Sequence, residues 1–224
     1  MGKLFNFLKG IYRHFPPKME AVWEEPFVDE PCVFICNHMG AMGPIYMTIK
    51  FPLCDRVMAW CNDGVLDRKK CPDYVRGDYW WKPGCFLEPL YNVTLPYLAA
   101  AVVPPVLNSA PTIAVHHDAG IMTTMRQSLK ALQENKHLVI FPEMPNGYGT
   151  YAERINTGWL MLCTMYHRMT GKTLRIYPVH ICPKKRSFFI GKAVVPDMSR
   201  PMEEQADAIA QVLGAGLRGE NLTK

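Results

Sequence analysis

Two strand-like runs in this chain each end in residues that can move or hold protons. CVFICNH (32–38) is apolar and β-branched until it stops at Asn37 and His38, and HLVIFPE (137–143) stops in the same way at Pro142 and Glu143. An imidazole, with an ordinary pKa of about 6.5, is a ready general base at neutral pH. A neighbouring carboxylate can accept hydrogen bonds from hydroxyl groups. A lone histidine more often serves packing, so His38 carries little weight by itself. Two buried strands that both finish in such residues point to one site, at the carboxyl edge of an α/β sheet where open sheets bind their ligands. A third run, TIAVHHDAG (112–120), ends in His116, His117 and Asp118. Successive residues of a strand face opposite sides, so only one of these histidines can join His38. A metal-dependent hydrolase built on this triplet would need a third and usually a fourth ligand grouped with it, and it stands as an alternative with no metal ligands assigned. Cys36, inside an apolar strand, reads as a small hydrophobe and not as a nucleophile.

The elements that must position these residues alternate along the chain. Strand patterns cover 32–36, 56–60, 112–116, 137–141, 174–181 and 187–194; helical patterns lie near 43–50, 85–103, 120–134, 155–170 and 202–217. Met122, Met125, Leu129 and Leu132 follow the helical repeat, as do Met202, Ala206, Ile209, Leu213 and Leu217. Such alternation predicts an α/β fold with a mixed, partly parallel sheet flanked by helices. Residues 61–84 break the pattern, being polar, charged and rich in Gly and Pro, with Tyr79, Trp80 and Trp81 at the far end. They read as an excursion from the sheet, set against the body or at a lipid–water boundary.

Residues 1–27 form an N-terminal segment and 28–224 the α/β domain. In the segment, Leu4, Phe7, Leu8, Ile11 and Phe15 are spaced as one helical face, with Lys9 and Arg13 on another. Two readings fit: an amphipathic helix at an anionic membrane surface, or one packed on its own domain. Four cations and no carboxylate occur before residue 19, within a chain whose formal net charge is +5. No secretory leader is expected, because a continuous apolar core and a small-residue cleavage site are missing. The eight cysteines contain no C-x-x-C pair, which favours free thiols in a reducing compartment over disulfides or a zinc knuckle. No run reaches the roughly 18 continuous apolar residues of a membrane span, since Leu95–Val106 is broken by Pro96, Pro104 and Pro105. Neither a phosphate-cradling glycine loop nor a dinucleotide fingerprint occurs, and Lys184, Lys185 and Arg186 alone do not make a nucleic-acid surface.

Taken together, four blocks resemble the glycerolipid acyltransferase family, the PlsC-like lysophospholipid acyltransferases. CNHMGAMGPIYM is similar to its first motif, TIAVHHDAGIMTTMRQSLKALQENKHL (112–138) to its second with the helix that follows, VIFPEMPNG (139–147) to its third, and LRIYPVHI (174–181) to its last. INTGWLMLC (155–163) resembles the stretch after the third. The likeness runs from about 28 to about 197 with the order of blocks intact. It implies a glycerolipid acyltransferase-like fold and transfer of a fatty acyl group from acyl-CoA or acyl carrier protein to a hydroxyl of a lysolipid or related precursor, in phospholipid biosynthesis. His38 would be the base, and Glu143 would accept hydrogen bonds from acceptor hydroxyls. Asn37, Asn146, His116 and His117 fall at the family's substrate-binding positions. No cofactor or metal is implied, because a thioester is already activated. The implied location is cytoplasmic, peripheral on the inner face of the cell membrane, with no nucleic-acid partner.

Two departures stand out. The family's Asp, five residues after the His, falls at Gly43. Loss of the carboxylate in a related general-base arrangement costs roughly 10⁴ in turnover. Either another carboxylate reaches His38, with Asp118 the first candidate, or the chain binds lipids or acyl carriers without ordinary turnover. Gly-Thr-Arg after the Glu is replaced by Met144, Pro145 and Asn146. Histidines at 116 and 117 are poorer phosphate ligands than the fixed fork of an arginine.

Overall fold

The computed structural model of the protein describes residues 2–15, 17–40, 42–77, 80–116, 120–144 and 154–219. Seven strands make one sheet: β1 (Glu20–Trp23), β2 (Cys32–Cys36), β3 (Val57–Asn62), β4 (Thr112–Val115), β5 (His137–Ile140), β6 (Arg175–Cys182) and β7 (Ser187–Ile190). Across the sheet they run β1-β7-β6-β2-β5-β3-β4, all neighbours parallel except the β6–β7 hairpin. The fold is therefore α/β, with a mixed and mostly parallel sheet flanked by helices.

The central strands are covered on both faces, which is why they read as unbroken apolar runs. Val33, Ile35, Leu138, Ile140 and Ile176 pack on one side against α6 (Ile121–Gln133), α7 (Met161–Thr170) and α8 (Met202–Arg218). Phe34, Val139, Tyr177 and Val179 pack on the other with Tyr46, Met47, Phe51 and Trp23. That second layer includes α2 (Met42–Ile45), which runs directly into one π-helical turn, Tyr46–Lys50.

Several expectations are corrected. The N-terminal strand β1 has no counterpart among the anticipated strands, and it adds an edge to the sheet just before the boundary drawn at residue 27. β7 stops at Ile190, because Gly191 turns so closely past Pro178 that a Cβ there would lie 2.9 Å from its Cγ. The polar excursion is not loop throughout: it holds α3 (Asp63–Leu66) and α4 (Cys71–Gly77). These pack Val65, Cys71 and Val75 with Trp81 and with Ala99 and Ala100 of α5 (Glu88–Ser109).

The largest correction concerns α5, which runs uninterrupted through Pro96, Pro104 and Pro105 for 22 residues and is long and apolar enough to cross a membrane. Proline removes the bond that its N–H would give to the carbonyl four residues back. For Pro96 that carbonyl is Asn92, and Arg76 of α4 supplies a replacement from Nε at 3.4 Å. Residues 3–12 form α1 (Lys3–Tyr12), which packs on α5 and is tied to its end by the Gly2 N–H donating to the Ser109 carbonyl at 2.7 Å.

Candidate functional site

β2 and β5 lie side by side and parallel, with Val33 opposite Leu138 and Ile35 opposite Ile140. Carried past the strand ends, this register sets His38 opposite Glu143. The contact is direct: the His38 backbone N–H donates to Glu143 Oε2. The imidazole meets the Phe141 ring edge-on, with centroids 5.4 Å apart.

Asn37 works on the other neighbour of β2. Its Oδ1 accepts from the Ile181 N–H at 2.6 Å and its Nδ2 donates to the Ile181 carbonyl at 3.3 Å. The side chain thus adds a rung to the β2–β6 ladder. With both amide atoms engaged by main chain, it fixes the backbone from which His38 departs.

Glu143 is half-buried, and burial raises its carboxyl above the ordinary value. The His38 N–H and the positive charge of Arg218 oppose that rise. Arg218 ends α8, far downstream, and a single arginine in the last turn of a helix carries no sequence signal that would join it to this edge.

Gly43 lies in α2, where a side chain would require the Phe141 ring to shift. A Cβ there would come 2.9 Å from Phe141 Cε1 and 3.5 Å from the Asn37 carbonyl oxygen. The place from which an aspartate would approach is thus closed by the ring that also touches His38.

Of the other anticipated site residues, His117, Asp118 and Asn146 lie outside the described residues. His116 follows β4 at the sheet edge, separated from β2 by β5 and β3. Three strand spacings put the two ends about 14 Å apart. His116 Nδ1 instead faces Asp63 Oδ2 at 3.6 Å, and the same oxygen accepts from Lys70 at 3.0 Å. Lys70, and after it His116, hold the Asp63 carboxyl below its ordinary value. Gly120 is the packing partner of this histidine: a Cβ there would sit 2.4 Å from the His116 Cβ. Sequence reasoning passed over Asp63, although VMAWCND (57–63) ends in Asn and Asp much as CVFICNH ends in Asn and His. The carboxyl edge therefore carries polar side chains at four successive strand ends.

All eight cysteines are free thiols. Burial raises those of Cys36 and Cys163, the latter to about 12, which keeps them protonated and unreactive. Among the described residues no three His, Cys, Asp or Glu side chains group in a way that would hold a metal ion. Comparison with family models, with curated proteins and with solved structures gives no match to this chain.

Proposed function

We propose that this protein is an acyltransferase that moves a fatty acyl group from a thioester, on acyl-CoA or acyl carrier protein, to a hydroxyl of a lysolipid or related lipid precursor. The observation that carries the reading is the meeting of His38 and Glu143 at adjacent ends of β2 and β5. It agrees with the four-block resemblance to PlsC-like enzymes.

In this reaction His38 takes the proton from the acceptor hydroxyl as its oxygen attacks the thioester carbonyl carbon. The carbon–sulfur bond of the tetrahedral intermediate then breaks, and the thiolate recovers the proton from the imidazolium. Glu143 orients the acceptor through hydrogen bonds from its hydroxyls. Its contact with the His38 backbone ties the acceptor pocket to the base. Arg218 supplies positive charge beside Glu143 that suits an anionic group on donor or acceptor. The test is transfer of a labelled acyl chain to lysolipid by the purified protein. His38→Ala should cut it by about 10²–10⁴, and undiminished transfer by that variant would defeat the assignment.

A second reading, a lipid- or acyl-carrier-binding protein without turnover, is favoured by one observation: Phe141 closes position 43 to a carboxylate. Under it, labelled acyl-CoA or lysolipid binds stoichiometrically while no product forms.

A further inference from the structure

We infer that α5 and α1 form a membrane face that lies in the plane of an anionic bilayer with its outer side chains among the acyl chains. The proposal is independent of acyl transfer, and it goes beyond the N-terminal segment by making α5 the larger part of the contact. After Glu88 the helix carries no charge for 21 residues, and only 22% of its most apolar stretch is buried. Leu90, Val93, Tyr97, Leu98 and Val102 are exposed along its outer side, and Phe86 just before it is 96% exposed. A helix that is apolar all round belongs in a core or in lipid. Only one stripe of this one packs into a core.

Its inner stripe decides between spanning and lying flat. Pro96, Ala99, Ala100 and Pro104 are buried, with Ala99 and Ala100 packed on Val65, Val75 and Trp81. A helix held along one side by its own domain cannot be surrounded by lipid. At about 33 Å it can lie along a surface and submerge the other side. α1 extends the same apolar area with Leu4, Phe7 and Ile11 exposed.

The charges around this face select the occupant. Lys3, Arg13 and Lys18 are exposed beside α1, with no carboxylate before Glu20, while the charge of Lys9 is taken up by Asp55 at 2.7 Å. Lys82 is exposed between Trp81 and Phe86, and the Arg76 guanidinium, paired with Asp73 at 2.8 Å, lies over the Tyr97 ring, 5.4 Å from its centroid. Cations and amphipathic aromatics at the border of an apolar face match anionic head groups.

The test uses the full chain and vesicles of mixed phosphatidylglycerol and phosphatidylcholine. The wild type should sediment with them, more weakly when phosphatidylglycerol is omitted or salt is raised. The triple variant Leu90→Glu, Val93→Glu, Leu98→Glu should lose binding by about tenfold or more. Val212→Glu, at an exposed apolar position of α8, should bind as wild type. Wild-type-like sedimentation of the triple variant would overturn the proposal. So would a wild-type dimer that the same three changes dissociate, because then a second copy covers the face. His38→Ala should still bind vesicles, and the triple variant should still acylate a short-chain acceptor in solution. The membrane face and the catalytic reading can therefore fail separately.

Discussion

The β2–β5 pair carries a histidine couple at each end, and the two ends are opposites. At the amino edge His137 opens β5 beside Cys32, which opens β2, with Nδ1 and Sγ 3.2 Å apart. At the carboxyl edge His38 follows β2 beside Glu143, which follows β5. Both couples are separated by the same 105 residues, because one parallel register generates both. His137 is fully buried between Phe27 and Phe34, with ring centroids 5.6 Å from each. Burial pushes its imidazole down to about 4 and the Cys32 thiol well above its usual value, so both stay neutral. The other couple is only partly buried and includes a carboxylate. A histidine and the spacing are shared; the partner residue and burial separate the two couples.

The sharpest way to break this comparison is to delete each ring in turn. His38→Ala should cut acyl transfer by about 10²–10⁴ with little change in unfolding free energy. His137→Ala should do the reverse, destabilising the fold by about 2–4 kcal/mol through the cavity it leaves, with turnover per folded molecule unchanged. Urea unfolding and single-turnover kinetics on both variants separate the roles. A catalytic defect in folded His137→Ala would show that the amino edge is not inert.

Acid sharpens the same contrast. The unfolded chain protonates His137 near its ordinary 6.5, whereas the folded protein resists until about 4. Between these values the unfolded state binds more protons, so stability rises with pH. The contribution is fully present above pH 6.5 and is lost as pH falls toward 4, about 3 kcal/mol over the window. His137→Phe should flatten that part of a stability–pH profile, and a slope unchanged in the variant would assign it to other groups.

Much of this was legible in the residues. CVFIC and HLVI are continuous apolar runs because their strands are covered on both faces, and their polar ends gave the site edge. EAVW of β1 was not legible: four residues at a sheet edge, alternately half-buried and exposed, resemble any loop. A helix near 85–103 was legible, but the three prolines argued against an uninterrupted apolar one, and the Arg76 contact that replaces the bond lost at Pro96 comes from a segment whose composition reads as loop. Asp63 hid there too. The charge of Arg218 acts on Glu143 only because of the way α8 packs on the sheet, and Asn37 resembles a ligand until its amide is seen on Ile181. Strand ends are local information, whereas the partners of their side chains are tertiary.

Position 43 gives a smaller effect with a sign that matters. Simple restoration of the family pattern predicts a faster enzyme from Gly43→Asp. The Phe141 ring predicts none, since its Cε1 would stand 2.9 Å from the new Cβ. The single variant should therefore be no faster than wild type and slightly less stable. Adding Phe141→Ala should make room and raise the rate above that of Gly43→Asp alone. A single variant that accelerates would mean the ring gives way easily and the closed position has little bearing on catalysis.

The smallest effect lies on Glu143 itself. Burial makes its charged form unfavourable in the folded state, so its raised carboxyl is a weak liability to stability, the inverse of His137. Glu143→Gln keeps an acceptor for the His38 N–H and removes the charge. Relative to wild type, the variant should gain stability as pH rises above the ordinary carboxyl value of 4.5, and the gain should level off once the folded carboxyl has ionised. Below 4.5 the two proteins should converge. The same substitution should weaken acceptor binding, visible as a raised KM, because Gln replaces a charged acceptor with a neutral one. A wild-type stability advantage that grows with pH would reverse the sign, and would mean that the charge of Arg218 outweighs burial at this end of the strand pair.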